Sequence, residues 1–133
     1  MKYFLDTNIC VYVTNERSAA ATKRLRSCNT EDVGISIITV AELRYGADKS
    51  HAAEKAHNAL NNFLTPLQIL EFDEKAATTY GFIRAQLEKK GTPIGPLDML
   101  IGAHALSVGA IMVTGNTKEF RRIPGLVVED WTR

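Results

Sequence analysis

Three carboxylates in this 133-residue chain fall where a strand should end or a helix should begin. They are Asp6 in Phe4-Leu5-Asp6-Thr7-Asn8, Glu42 in Thr39-Val40-Ala41-Glu42-Leu43, and Asp98 in Gly95-Pro96-Leu97-Asp98. In an open α/β sheet, ligands bind at the carboxyl ends of the strands. Acids gathered there without cationic partners are costly unless a hard cation neutralises them. The chemistry indicated is a pocket for Mg²⁺, with Mn²⁺ as a substitute, and phosphodiester cleavage as its use. Singly, Asp6 reads as a helix N-cap and Asp98 as an acid favoured by the dipole of a helix opened by Pro96. Glu42 is harder to dismiss, because it borders an apolar helical face with no lysine nearby. One shared site explains all three.

The elements that must position these acids alternate in type. Tyr3-Phe4-Leu5 reads as a buried strand running directly into a helix capped by Asp6, Thr7 or Asn8. Residues 17–27 read as a helix whose basic face carries Lys23, Arg24 and Arg26. Val33-Gly34-Ile35-Ser36 is a second strand, and Ser36 caps a helix with Ile38, Ala41 and Tyr45 on one face. Ala53, Ala56, Leu60, Phe63 and Leu64 form the next amphipathic stripe, stopped before Pro66. A third strand at 67–70 precedes a helix capped by Asp73, with Ala76, Tyr80, Ile83 and Leu87 on one face. Pro96 opens a helix that ends near Gly109, Ile111-Met112-Val113-Thr114 is a fourth strand, and Leu126-Val127-Val128 a fifth at the edge. This alternation predicts a parallel sheet of four to five strands with helices on both faces, in one domain spanning 1–133.

Bulk properties narrow the class without choosing it. A net charge of +1, 45% hydrophobic and 23% charged residues describe an ordinary globular chain. An acidic site would mask basic residues placed elsewhere, so the total leaves nucleic-acid binding open. Cys10 and Cys28 match no zinc spacing and read as reduced thiols. His51, His57 and His104 lack HExxH-like spacing, which argues against zinc; His104 reads as an ordinary helix residue. No GxSxG motif is present. The first residues meet an acid before any signal-like apolar run, and no segment approaches membrane-spanning length, so the expectation is a cytoplasmic protein.

Four stretches together carry a resemblance: Phe4-Leu5-Asp6-Thr7-Asn8; Ile38-Thr39-Val40-Ala41-Glu42-Leu43-Arg44-Tyr45-Gly46; Gly95-Pro96-Leu97-Asp98-Met99-Leu100-Ile101-Gly102-Ala103-His104-Ala105; and Val113-Thr114-Gly115-Asn116-Thr117-Lys118-Glu119-Phe120. In order and spacing they resemble the four motifs of PIN-domain ribonucleases, and more closely the VapC toxins of bacterial toxin–antitoxin pairs. The likeness continues through Arg122-Ile123-Pro124-Gly125-Leu126 and Glu129-Asp130-Trp131. It implies a three-layer PIN-like fold and a Mg²⁺-dependent endoribonuclease with Asp6, Glu42 and Asp98 as metal ligands. Many members carry a fourth acid in a Thr-x-Asp pattern, where this chain has Thr114-Gly115-Asn116. Asn116 and Glu119 are the two candidates for that corner.

The resemblance also implies a toxin that stops translation by cutting a structured RNA. The target that the resemblance implies is tRNA, and within it the initiator tRNA in its anticodon loop, with large ribosomal RNA as the family's alternative. It implies a VapB-type antitoxin in a groove and the acidic pocket, a homodimer, and a larger toxin–antitoxin complex. Thr7, Asn8 and Thr114 are candidates to orient the acids. Arg44, Arg84 and Lys118 lead the candidates for RNA contact, ahead of Lys89, Lys90, Arg121 and Arg122. Two other readings compete: a catalytically silent PIN-like module that only binds RNA or protein, and a phosphotransfer receiver. The receiver lacks support, because no paired acids precede Asp6 and no suitably placed lysine follows a late strand.

Overall fold

The computed structural model describes residues 1–133. Short apolar runs bounded by capping residues become strands, and the stretches between them become helices. In chain order these are β1 (Tyr3–Leu5), α1 (Thr7–Thr14), α2 (Ala19–Ser27), a 3₁₀ turn (Thr30–Asp32), β2 (Val33–Ser36), α3 (Ile37–Asp48) and α4 (Ala53–Leu64). There follow β3 (Gln68–Leu70), α5 (Glu74–Lys90), α6 (Pro96–Ser107), β4 (Ile111–Val113), α7 (Thr117–Phe120) and β5 (Val128–Glu129). Asp6, Ser18, Ser36 and Asp73 each accept a backbone N–H in the first turn of the helix they open. Gly91, at φ 67°, closes α5 in the left-handed conformation that suits glycine.

The five strands are all parallel, in the order β3-β2-β1-β4-β5. Alternate residues of β1 serve opposite faces. Tyr3 and Leu5 join Ile9, Val33, Ile35, Leu43, Leu60 and Leu64 in one core beneath α1–α4. Phe4 joins Met112, Ile83, Leu87, Met99, Ile101, Phe120 and Ile123 in the other, beneath α5–α7. The predicted three-layer architecture is therefore present, with five strands. The fifth pairs at Val128 and Glu129, slightly later than the predicted 126–128, and it lies at an edge. No helix is long and apolar enough to cross a membrane.

One predicted face is wrong. The buried side of α3 is Thr39, Leu43 and Ala47, whereas Ala41 is exposed and Tyr45 is 66% exposed. The apolar spacing of Ile38, Ala41 and Tyr45 misled because the helix packs with a polar residue, Thr39, inside. The stripes predicted for α4 and α5 hold: Leu60 and Leu64, then Ala76, Ile83 and Leu87, are buried.

The last short helix matters beyond its length. Gly102 on α6 leaves room for α7: a Cβ there would collide with the Ile123 side chain and lie 3.3 Å from Phe120 Cδ1. Phe120, fully buried, is thus the anchor that holds its neighbour Glu119 against the start of α6. Phe120→Ala is expected to cost about 3–5 kcal/mol of unfolding free energy. Chemical denaturation measures this directly, and a loss below about 1 kcal/mol would contradict the anchoring role.

Candidate active site

The strand order creates one switch point. From β1 the chain winds outward to β2 and β3, then crosses back to enter β4 on the other side of β1. Ligands bind at such crevices in open α/β sheets, because the loops diverge there. Asp6 follows β1 and Thr114 follows β4, so these two residues meet across the switch point, and the Thr114 hydroxyl donates to Asp6 Oδ2. Asp6 Oδ1 accepts the Ile9 N–H, so the same carboxylate caps α1. The capping and site readings of Asp6 are compatible: its side chain is buried to 2% exposure yet keeps unused lone pairs.

The other acids arrive from three further elements. Glu42, in the second turn of α3, accepts a 2.7 Å hydrogen bond from Thr7 Oγ1 on Oε1. Asp98, in the first turn of α6, accepts no hydrogen bond from the protein, although Gly95 and Pro96 fix the turn that presents it. Glu119, on α7, accepts from the Gly95 N–H at 2.6 Å and from Asn116 Nδ2 at 2.6 Å, one on each carboxylate oxygen. A methyl group on Gly95 would lie 3.5 Å from Glu119 Oε1 and 3.9 Å from Asp98 Oδ2, so these two carboxylates border the same small space. Asn116 also donates its own N–H to Thr114 Oγ1 at 2.8 Å. A continuous polar chain therefore runs from Asp6 through Thr114, Asn116 and Glu119 to Gly95, three residues before Asp98.

Electrostatics unite the four acids. Burial is the main force pushing Asp6 up from 3.8 to about 6, against its hydrogen bonds from Thr114 and Ile9, and the Glu42 charge adds to it. Asp98 also rises from 3.8 to about 6, through burial first and then the charges of Glu119, Asp6 and Glu42. None of the four takes part in a salt bridge with lysine or arginine. No three His, Cys, Asp or Glu side chains already enclose a common point. The pocket is an open, all-oxygen cluster of negative charge, suited to an ion that keeps waters and takes further ligands from a substrate.

The remaining candidates fall in different places. Thr7 and Thr114 orient acids, whereas Asn8 is exposed and its side chain makes no hydrogen bond. Arg44 is engaged within the chain, bridging from α3 to His57 and Asn61 of α4 at 3.0 and 2.6 Å. Arg84 pairs with Glu88 and Tyr80 along α5. Arg24 lies over the rings of Tyr3 and Trp131 and reaches Glu129, and Arg122 donates to the Pro93 carbonyl. Lys118 is exposed, beside Glu119 in the sequence. Sequence reasoning missed the clamp role of Gly95 altogether; its only signal was a glycine placed just before Pro96.

The PIN domain family model matches residues 3–126. The PIN domain is a nuclease fold, and PIN-domain ribonucleases are in general divalent-metal dependent. The chain is 44% identical over 131 residues to the tRNA(fMet)-specific endonuclease VapC of Salmonella typhimurium, with 98% of each chain covered. It matches the structure of DNA-bound VapBC from Salmonella typhimurium with a TM-score of 0.94 at 44% identity, over 98% of both chains. It matches VapBC2 from Rickettsia felis, bound to a DNA fragment from their promoter, with a TM-score of 0.92 at 42% identity, over 98% of this chain and 99% of that one. The chain belongs to the PIN-domain family, in its VapC branch.

The acid cluster has a measurable consequence for stability. A carboxyl whose pKa is higher in the folded than in the unfolded state binds more protons when folded, so stability falls as pH rises through the interval. For Asp6 and Asp98 the interval runs from 3.8 to about 6. Without metal, Asp98→Asn is therefore expected to raise the thermal midpoint at about pH 8 and to leave it nearly unchanged at about pH 4. Thermal melts in EDTA read this out, and equal midpoints at the higher pH would contradict the cost of burying and crowding this charge.

Proposed function

We propose that this chain is a Mg²⁺-dependent endoribonuclease toxin, with Asp6, Glu42, Asp98 and Glu119 as the carboxylates that hold the metal. The observation that carries this reading is the convergence of these acids at the switch point with no cationic side chain paired to them. Their donor set fits a hard divalent ion: oxygen ligands only, in an open site, with Asp6 and Asp98 raised to about 6 by burial and by their neighbours' charge, a cost that a bound cation would offset. When bound, such an ion supplies positive charge and Lewis acidity toward water and a phosphate oxygen. Mn²⁺ meets the same oxygen preference.

The protein's own part is to fix where the charge lies. Thr114 and the Ile9 N–H hold both oxygens of Asp6, Thr7 holds Glu42, and Gly95 with Asn116 holds Glu119. In this reading Asn116 is an orienting residue and Glu119 supplies the fourth carboxylate. The acid missing from the Thr-x-Asp position is thereby replaced, which disfavours the silent binding module.

Substrate and partner follow from the VapC relatives. One is named a tRNA(fMet)-specific endonuclease, which supports a structured RNA of the tRNA class as substrate, cut in a cytoplasmic setting. Related structures are VapBC complexes, which supports a VapB-type antitoxin. A groove of about 640 Å³ between α1, α3 and α4 starts at Thr7 and Glu42, is lined by Val11, Leu43 and Leu60, and offers such a segment an apolar path to the acids. Homodimerisation completes the reading. Lys118 is the candidate phosphate contact best placed near the site, while Arg44 and Arg84 would have to exchange internal partners for RNA.

Purified protein incubated with initiator tRNA tests the proposal. Cleavage is expected with Mg²⁺ and none with EDTA; Asp6→Asn and Asp98→Asn should each lose about 10²–10³-fold in rate. Asn116→Ala should lose about 10-fold, as removal of an orienting partner does. Cleavage that survives EDTA or both acid substitutions would defeat the metal-nuclease reading, and growth arrest undiminished by Asp6→Asn would favour the silent module.

A further inference from the structure

His104 lies two turns below Asp98 on α6, only 1% exposed, and outside the acid cluster. Its ring is held edge-on by Phe4 and Phe72, with centroids at 5.0 and 5.3 Å. A fully enclosed imidazole needs partners for both nitrogens. Nδ1 is 2.8 Å from Ser36 Oγ, and the backbone of Glu71 lies close enough to act on the ring's titration.

Proton accounting fixes the direction of the first bond. Ser36 Oγ already accepts the Ile38 N–H at 3.0 Å, the cap that starts α3. The buried hydroxyl must place its own proton on an acceptor, and His104 Nδ1 is the one within reach. The ring is therefore neutral, with its proton on Nε2. Burial also lowers its pKa below 6.5, opposed by the charge of Asp73 and the contact with Glu71.

This relay joins the helices that carry two of the acids. Ser36 is six residues before Glu42, and His104 is six residues after Asp98. In helical rise that is about 9 Å from Asp98 along α6. We propose that His104 is a positioning residue: by accepting the Ser36 hydroxyl proton, it fixes the start of α3 against α6 and so sets Glu42 relative to Asp98. The proposal rests on the acid-site reading above.

Mn²⁺ titration by calorimetry tests it, beside RNA cleavage kinetics and thermal melts. Ser36→Ala and His104→Phe are each expected to weaken Mn²⁺ binding and lower kcat by about 10-fold, with KM for RNA unchanged. The double variant should be no worse than the worse single one, since both break one relay. His104→Asn, whose side-chain oxygen can accept where Nδ1 does, should recover most of both quantities. The imidazole ¹⁵N spectrum of the native protein should show the Nε2–H tautomer. Ser36→Ala and His104→Asn keep the test open if His104→Phe fails to fold. Mn²⁺ affinity and kcat within twofold of native in Ser36→Ala, or a lowered melting point alone, would overturn the positioning role. Native-like Mn²⁺ binding by Asp98→Asn would instead defeat the acid-site reading beneath it.

Discussion

The structure is organised around uncompensated negative charge at the switch point of its sheet. Two unit charges 4 Å apart near a protein surface interact by about 4 kcal/mol at an effective dielectric of 20. Such a penalty persists only where the fold over-determines the positions of the charges. Here the strand order brings Asp6 and Thr114 together across β1 and β4, and three separate helices deliver Glu42, Asp98 and Glu119 to the same crevice. The folded chain supplies no lysine or arginine to pair with any of them.

What the chain does supply is donors. Threonine hydroxyls, an asparagine amide and backbone N–H groups aim at Asp6, Glu42 and Glu119, while Asp98 is left without a protein donor. Neutral donors orient a carboxylate without cancelling its charge, so the field of the cluster stays available to an incoming cation. The packing behind the site serves this arrangement. Gly102 makes space for Phe120, Phe120 holds α7, and α7 brings Glu119 beside Asp98. A defect several residues from any acid would therefore reach the acidic crevice through displaced carboxylates.

Much of this was legible in the sequence, and the failures have physical causes. The strands showed as short apolar runs, the helix starts as Asp6, Ser36, Asp73 and Pro96, and the three acids as residues close to strand ends or helix starts. The joint placement of Asn116 and Glu119 was not readable, because it depends on a hydrogen bond from Gly95, twenty-four residues away in the chain. The face of α3 was misread because Thr39, polar but fully buried, breaks the apolar pattern. Arg44 and Arg84 stood out as isolated cations, but their partners lie on neighbouring turns and on another helix. His104 passed as an ordinary helix residue, since nothing local reveals the ring's partners, which come from β2 and the segment after β3.

The most direct measurement is anomalous diffraction from crystals of the protein soaked in Mn²⁺. The four-carboxylate arrangement requires an anomalous peak within bonding distance of Asp6 and Asp98, in the crevice faced by Glu42 and Glu119, and its loss in Asp98→Asn. A peak elsewhere, or none at a Mn²⁺ concentration that supports RNA cleavage, would contradict it.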